Sequence, residues 1–449
     1  MMKLTDNWDE LSSDEKFETR FESYRSPENI EFVDEEAEED YKKAVDRLKD
    51  VIELREPDRV PIVPNMGFYP AEYAGITAEE AMYDYDKLGM AWEKFNKDFN
   101  FDFLVSTTMI GPGPVFETLD YQLYRWPGHG TDPDTSYQCV EDEYMKADEY
   151  DELIADPSGF WMRKYLPRIF GSLTPWSQLA PFTDLVELPF VGFSMFPVGM
   201  PDVQESFEKY MEAGKQAFEW MQAISEIDGR VSATYGRPGF IGGVTKAPFD
   251  VLSDTLRGTQ PLMIDMFRRP EKILEAMEQI VPIMVETGVR AATANNSPMV
   301  FIPLHKGADS FMSREQFQKF YWPTLKKVLL GLIEEGCVPF LFVEGAYNKR
   351  LDLIADPDLP EERIYWLFDK TDMVEAKKHL GGKAAIGGNV SASLIKTGTP
   401  EDVKDYVKNL IDDVADGGGF ILSTGVVVDD AEPENMQAII EAGREYGVY

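Results

Sequence analysis

Residues 338–345 read Val338-Pro-Phe-Leu-Phe-Val-Glu-Gly345, six apolar residues followed by a carboxylate and a glycine. An apolar run without polar alternation is buried on both faces, the pattern of a strand in a parallel sheet covered by helices. The same pattern recurs on either side of it. Met299 to Leu304 runs apolar and then meets His305, and Ile364 to Phe368 meets Asp369. Helix-start signals lie between these runs. Ser313 and Gln316 have capping-box spacing, Asp372 precedes Glu375 by three residues, and Thr399 precedes a Pro at the first helical position. Ala384 to Ile386 and Gly419 to Ser423 add two further strands, and a helix from Pro433 to Tyr446 closes the chain.

Toward the amino terminus, Val60 to Pro64, Phe103 to Thr107 and Val231 to Tyr235 bring the strand candidates to eight. Eight strands alternating with helices predict an α/β fold, a closed (β/α)8 TIM barrel in place of an open doubly wound sheet. No GxGxxG follows a strand, so the dinucleotide fingerprint is absent, as is a Walker A sequence. Residues 110–229 separate the second and third candidates, far more than a βα loop needs. They are expected to form an inserted lid or subdomain, rich in aromatics such as Tyr121, Tyr124, Trp126, Trp161 and Trp176. Residues 1–43 read as an acidic arm on the surface and 44–449 as the barrel. The first 40 residues carry 15 acidic and 4 basic side chains.

The 449 residues carry 44 basic and 81 acidic side chains, a net charge of −37. Binding to nucleic acid or to an anionic membrane needs the opposite sign, so neither is expected. Only Cys139 and Cys337 are present, the chain opens MMKLTDNWDE without an apolar leader, and no window approaches a membrane span. The expectation is a cytoplasmic protein without disulfides.

Active residues of such barrels come from the carboxyl ends of the strands. Those positions hold Asn65, Met66, Thr107, Thr108, Tyr235, His305, Lys306, Glu344, Asp369, Asn389, Ser423 and Thr424. His305 and Glu344 are the first polar residues after successive apolar strands, and with Asp369 they are the candidate catalytic set. A carboxylate placed there would have its pKa raised unless a cation or metal compensates, which suits a general acid or a ligand. The same three residues match the ligand class of zinc, their alternative role. Asn65, Met66, Tyr235, Lys306, Asn389 and Thr424, with His129 in the insertion, are the candidate substrate-binding residues.

Several segments resemble the uroporphyrinogen decarboxylase superfamily. They are Glu56-Pro-Asp-Arg-Val-Pro61, Thr255-Leu-Arg-Gly258, the 338–345 run, Asp372 to Gly381, Gly387-Gly-Asn-Val390, Gly398 to Val403 and Gly417 to Ser423. Their order is similar to that of the cobalamin-dependent methyltransferase branch. The first loop, Asn65 to Glu72, lacks the Arg residues with which true uroporphyrinogen decarboxylases hold their substrate. Phe342, Glu344 and Val426 stand where thiol-methylating relatives carry their zinc ligands. The resemblance therefore implies a corrinoid-dependent methyltransferase that demethylates an O-methyl donor, such as a methoxylated aromatic. The methyl group would pass to cobalamin held by a small corrinoid-binding partner protein. Transfer from methyl-corrinoid to a pterin, a decarboxylase, and a non-catalytic corrinoid-binding partner are the alternatives. Zinc and a homodimer stay open.

Overall fold

The computed structural model describes residues 4–449. Its described residues contain nine strands in two sheets. β1 (Tyr124–Pro127), β2 (Gly130–Thr131) and β3 (Gln138–Cys139) form a small sheet inside the insertion. β4 (Gly243–Val244), β5 (Met299–Leu304), β6 (Val338–Val343), β7 (Tyr365–Phe368), β8 (Ala385–Val390) and β9 (Phe420–Thr424) pair in that order, all parallel.

Backbone hydrogen bonds complete the ring. Val63 N–H donates to Leu422 O at 2.9 Å and Leu422 N–H to Pro61 O at 3.0 Å, which joins segment 60–64 to β9. Asp102 N–H donates to Ile62 O and Leu104 N–H to Pro238 O, both at 3.1 Å. Gly242 N–H donates to Met299 O at 2.9 Å, leading back to β5. Segments 60–64, 102–105 and 238–244 are thus the first three staves of a (β/α)8 barrel. Phe301, Phe340, Tyr365 and Ile421 fill its interior as a packed core.

Two expectations are corrected. Residues 231–235 are not a strand but the last turn of a 35-residue helix, Pro201–Tyr235. Ile224, Ile227 and Val231 lie on its buried face at helical spacing, and that periodicity outweighs the strand propensity of Val, Thr and Tyr. Gly236 ends it at φ +60°, and a Cβ there would meet Ala37 O at 2.2 Å, so glycine is required both by conformation and by space. The third stave begins only after this turn.

The amino-terminal arm is not a solvated segment either. Helix Ser13–Arg25, opened by the Ser12/Glu15 capping box, buries Phe17, Phe21 and Tyr24 completely or nearly so. Helix Glu35–Ile52 adds Tyr41, Val45, Leu48 and Ile52 to the same core. Tyr24 OH donates to Gly239 O at 2.9 Å, and Lys16 pairs with Glu335 at 3.0 Å. The arm closes the amino end of the barrel, leaving its charges on the outer face.

The insertion contacts the opposite end through the loop after β4. Its last helix, Pro201–Tyr235, flanks the barrel, and Met145 N–H donates to Leu256 O at 2.7 Å, tying the insertion to the loop after β4. Among the described residues no helix is long and apolar enough to cross a membrane.

Candidate active site

The loop after β4 supplies Lys246, Asp250 and Asp254. Asp250 and Asp254 are four residues apart on adjoining helical turns, Pro248–Asp250 and Val251–Leu256, and so share a face. Asp250 is fully buried and accepts hydrogen bonds from His305 N–H at 3.1 Å, Lys306 N–H at 3.2 Å and Tyr321 OH at 2.7 Å. It fixes the backbone at the end of β5.

Asp254 holds the side chains. Its Oδ2 accepts from His305 Nδ1 at 2.5 Å and from Lys246 Nζ at 2.9 Å, and Lys306 Nζ lies 3.4 Å from Oδ1. With Nδ1 so engaged, His305 Nε2 faces Glu344 Oε1 across 3.6 Å, beyond hydrogen-bonding distance. Half of the Glu344 side-chain surface is exposed into the mouth. Asp369 stands beside it, accepting from Gly345 N–H at 3.2 Å.

The protonation states follow from this packing. Burial alone would lower the His305 pKa, but the Asp254 hydrogen bond and the charges of Asp250, Glu344 and Asp254 outweigh it and hold the imidazole above its ordinary value. Burial pushes Asp254 up, yet the His305 hydrogen bond and the Lys246 charge bring it below the usual carboxylate range. Burial and the neighbouring Asp254 charge raise Asp250. Crowding by protein raises Glu344, helped by Asp254 and Asp369 and opposed by His305 and Lys306. Asp369 is also raised, by burial. The arrangement is an imidazole whose proton is held more tightly than usual, fixed by one carboxylate and facing a second that is also raised. It can deliver a proton to an atom that sits beside the pair within hydrogen-bonding reach of both Nε2 and Oε1.

The insertion reaches this site through Tyr124 and Cys139, which are register partners across β1 and β3. Burial raises the Tyr124 hydroxyl to about 12, and the charges of Asp254 and Glu344 reach it there. Asp254 likewise raises the Cys139 thiol beyond the effect of burial.

Of the residues singled out from the sequence, His305, Lys306, Glu344 and Asp369 come together here. The rest do not. Tyr235 lies at the amino end of the barrel beside Asp40 and Arg237, because its segment is helix. His129 Nε2 sits 2.9 Å from Tyr83 OH and 3.1 Å from Glu117 Oε1, and its ring stacks on Trp126, so it locks a turn of the insertion. Asn389 spends its amide on Asp369 O and Thr371 O, both at 3.3 Å, and accepts from Tyr406 OH at 2.7 Å. Thr424 donates to Val426 O at 2.8 Å. Asn65 and Met66 line a separate cavity on the barrel axis. Among the described residues no three His, Cys, Asp or Glu side chains gather closely enough to hold a metal ion. His305, Glu344 and Asp369, the zinc set expected from the sequence, do not form such a group.

Lys246, Asp250 and Asp254 are the residues that sequence reasoning missed. The signal was present. With the third stave at 238–244, Thr245 and Lys246 become its strand-end residues, and Asp250 and Asp254 fall at i, i+4 just beyond.

A barrel with an acid–base cluster at the carboxyl ends of its strands is an enzyme-like architecture, and comparison with known proteins places it. The family model described as uroporphyrinogen decarboxylase (URO-D) matches residues 201–446, and the chain belongs to that family. The uroporphyrinogen decarboxylase of Pseudoalteromonas translucida is 27% identical over 139 residues, covering 30% of this chain and 38% of its own. That of Salmonella dublin is 24% identical over 231 residues, covering 49% of this chain and 62% of its own. The matches thus span less than two thirds of these relatives. The solved structure of a methyltransferase from Methanosarcina mazei has the same fold, with a TM-score of 0.56 and 15% identity over 89% of this chain and 98% of the other.

Proposed function

We propose that the chain is a methyltransferase that demethylates an O-methyl donor, a methoxylated arene, and passes the methyl group to a corrinoid on a small partner protein. The observation that carries this reading is the 3.6 Å interval between His305 Nε2 and Glu344 Oε1, with Asp254 fixed behind His305. Alkoxide and phenoxide leave poorly, so a proton must reach the ether oxygen as its bond to the methyl carbon breaks. His305, whose protonated form Asp254 favours, carries that proton on Nε2. Glu344 holds the oxygen on its other side and, while protonated, donates to it. Asp254 keeps the Nδ1 hydrogen bond throughout, and its charge favours return of a proton from solvent to Nε2. When docked, the reduced corrinoid supplies the nucleophile that takes the methyl group. Tyr124, which reaches the cluster from the insertion, stands at the mouth where a donor's ring would lie.

The fold, on which the Methanosarcina mazei methyltransferase is also built, supports the reaction class. Decarboxylation of a polycarboxylate porphyrinogen fits this mouth less well. The loop 65–72 has no Arg, and Asp250, Asp254, Glu344 and Asp369 face Lys246, Lys306 and His305, so the rim offers no excess of positive charge. The test is spectroscopic. Reduced cobalamin and a panel of methoxyarenes are mixed with the protein, and the cob(I)alamin band is followed. Replacement by the methylcobalamin band, lost in His305→Ala, is expected. An unchanged spectrum with every donor would overturn the reading.

A further inference from the structure

Residues 181–200 of the insertion are apolar almost throughout, with Asp184 and Glu187 their only charges. Helix Leu188–Met195 within them buries none of its residues. A helix that is apolar on every side ordinarily lies inside a protein. Here Phe182, Leu188, Phe193 and Phe196 are 73%, 90%, 81% and 71% exposed. Nine apolar side chains of 182–196 are at least 42% exposed, and at roughly 150–250 Å² for a whole aromatic side chain they present on the order of 1,000 Å². The largest apolar patch of a monomer is about 300–600 Å², and a stable interface takes about 800 Å² from each partner, so this area is that of an interface.

A second apolar surface lies on the helix that follows. Met211, Gly214, Phe218 and Met221 recur at i, i+3, i+7 and i+10 on helix Pro201–Tyr235, and Met211, Phe218 and Met221 are exposed. Glycine weakens a helix interior, yet a Cβ at Gly214 would meet nothing within 4 Å, so no neighbour in its own chain requires it. It leaves a gap in the stripe between Met211 and Phe218. Since both surfaces are exposed, the short helix does not cover the stripe of its own chain.

We propose that these surfaces join two copies of this chain, helix Leu188–Met195 of each lying on the 211–221 stripe of the other. An exposed apolar helix and a gapped apolar stripe on one chain are complementary halves, and a two-fold axis satisfies both at once. Charge points to the same occupant. Each copy carries −37, so two chains repel over most of their surface and meet where few charges are buried. A basic or acidic partner would find no ion pair to make on the short helix, which has no charged residue. Helices that lie on membranes carry Lys or Arg on their polar face, and 181–200 has neither. The interface does not depend on the methyl-transfer reading.

Sedimentation velocity of the full chain at micromolar concentration tests it, on wild type, Phe193→Asp and Phe218→Asp. Wild type should sediment at twice the 51.0 kDa of the chain. Each substitution should weaken the dimer by at least about 10-fold, the cost of placing a charge at the centre of an apolar interface. Circular dichroism of the variants should match that of wild type, because both side chains are exposed in their own chain. An equal mixture of the two variants should dimerise more strongly than either alone, since the mixed pair keeps one of its two helix-on-stripe contacts intact. A monomeric wild type, a dimer that neither substitution weakens, or a mixture no stronger than its components would overturn the proposal. So would flotation of wild type with neutral phosphatidylcholine vesicles, lost in Phe193→Asp, which would assign the segment to a membrane surface instead. None of these measurements reads methyl transfer, so their failure and that of the cobalamin assay are separate.

Discussion

On the side of the mouth built by β4, β5 and β6, the polar side chains partner one another. Asp250 holds two backbone N–H groups and a tyrosine, and Asp254 holds an imidazole and a lysine. On the axis, toward segment 60–64 and β9, Asn65 Nδ2, Tyr365 OH and Ser423 Oγ are buried without a hydrogen-bond partner among apolar side chains. The first region is complete without ligand and poised for proton transfer. The second is packed around polar atoms that no protein group satisfies. Electrostatic preorganisation costs nothing at the moment of reaction, whereas an unpaired buried hydroxyl makes no hydrogen bond that a substitution could remove. Substitutions in the two regions should therefore fail in different ways.

The largest effect is expected at His305. His305→Ala should lower turnover by about 10²- to 10⁴-fold, the range for a lost general acid, with folding intact. A fall confined to KM would move His305 out of the chemistry and blur the distinction between the regions.

Asp254→Asn comes next. Removing the anion beside the imidazole should cost about 10- to 100-fold in turnover and move the alkaline limb of the pH profile toward acid. The sign follows from the acid role. Activity is lost as pH rises through the raised His305 pKa, and lowering that pKa brings the loss on earlier.

Stability should show the same pair more faintly. The raised His305 pKa adds stability that is complete below its unfolded value of roughly 6.5 and disappears as pH rises through the folded value. The lowered Asp254 pKa adds stability that is present above its unfolded value of roughly 3.9 and disappears as pH falls through the folded one. Unfolding free energies of wild type minus Asp254→Asn should be largest between those limits and shrink at both ends. A difference independent of pH would show that the two groups are not coupled.

The smallest effect is expected on the axis. Tyr365→Phe should leave the ligand-free unfolding free energy within about 0.5 kcal/mol, despite the complete burial of the ring. A large loss would give the two regions the same character.

The alternation of apolar runs and capping signals in 299–449 made the barrel legible from composition and spacing, because parallel strands buried on both faces have few sequence disguises. His305, Glu344 and Asp369 were legible for the same reason, each being a polar residue that ends an apolar run. Two things were hidden. The arm's charges masked Phe17, Phe21 and Tyr24 at i, i+4 and i+7, a buried stripe on an otherwise acidic helix. The third stave is broken by Gly239, Gly242 and Gly243 and has almost no apolar run of its own, so a helix end that looked like a strand took its place. That one misplacement moved the strand-end rule from Lys246 to Tyr235 and concealed Asp250 and Asp254. The orphan atoms on the axis could not be read at all, since Tyr365 and Ser423 are buried together only once the ring has closed.

The most direct test of the proton-delivery site is titration of the His305 ring by NMR, in wild type and in Asp254→Asn, with His129 and His379 as internal references. The geometry predicts a His305 pKa above the ordinary value of roughly 6.5 in wild type, falling when Asp254 loses its charge. A His305 that titrates at or below that value in wild type, or that does not respond to Asp254→Asn, would contradict it.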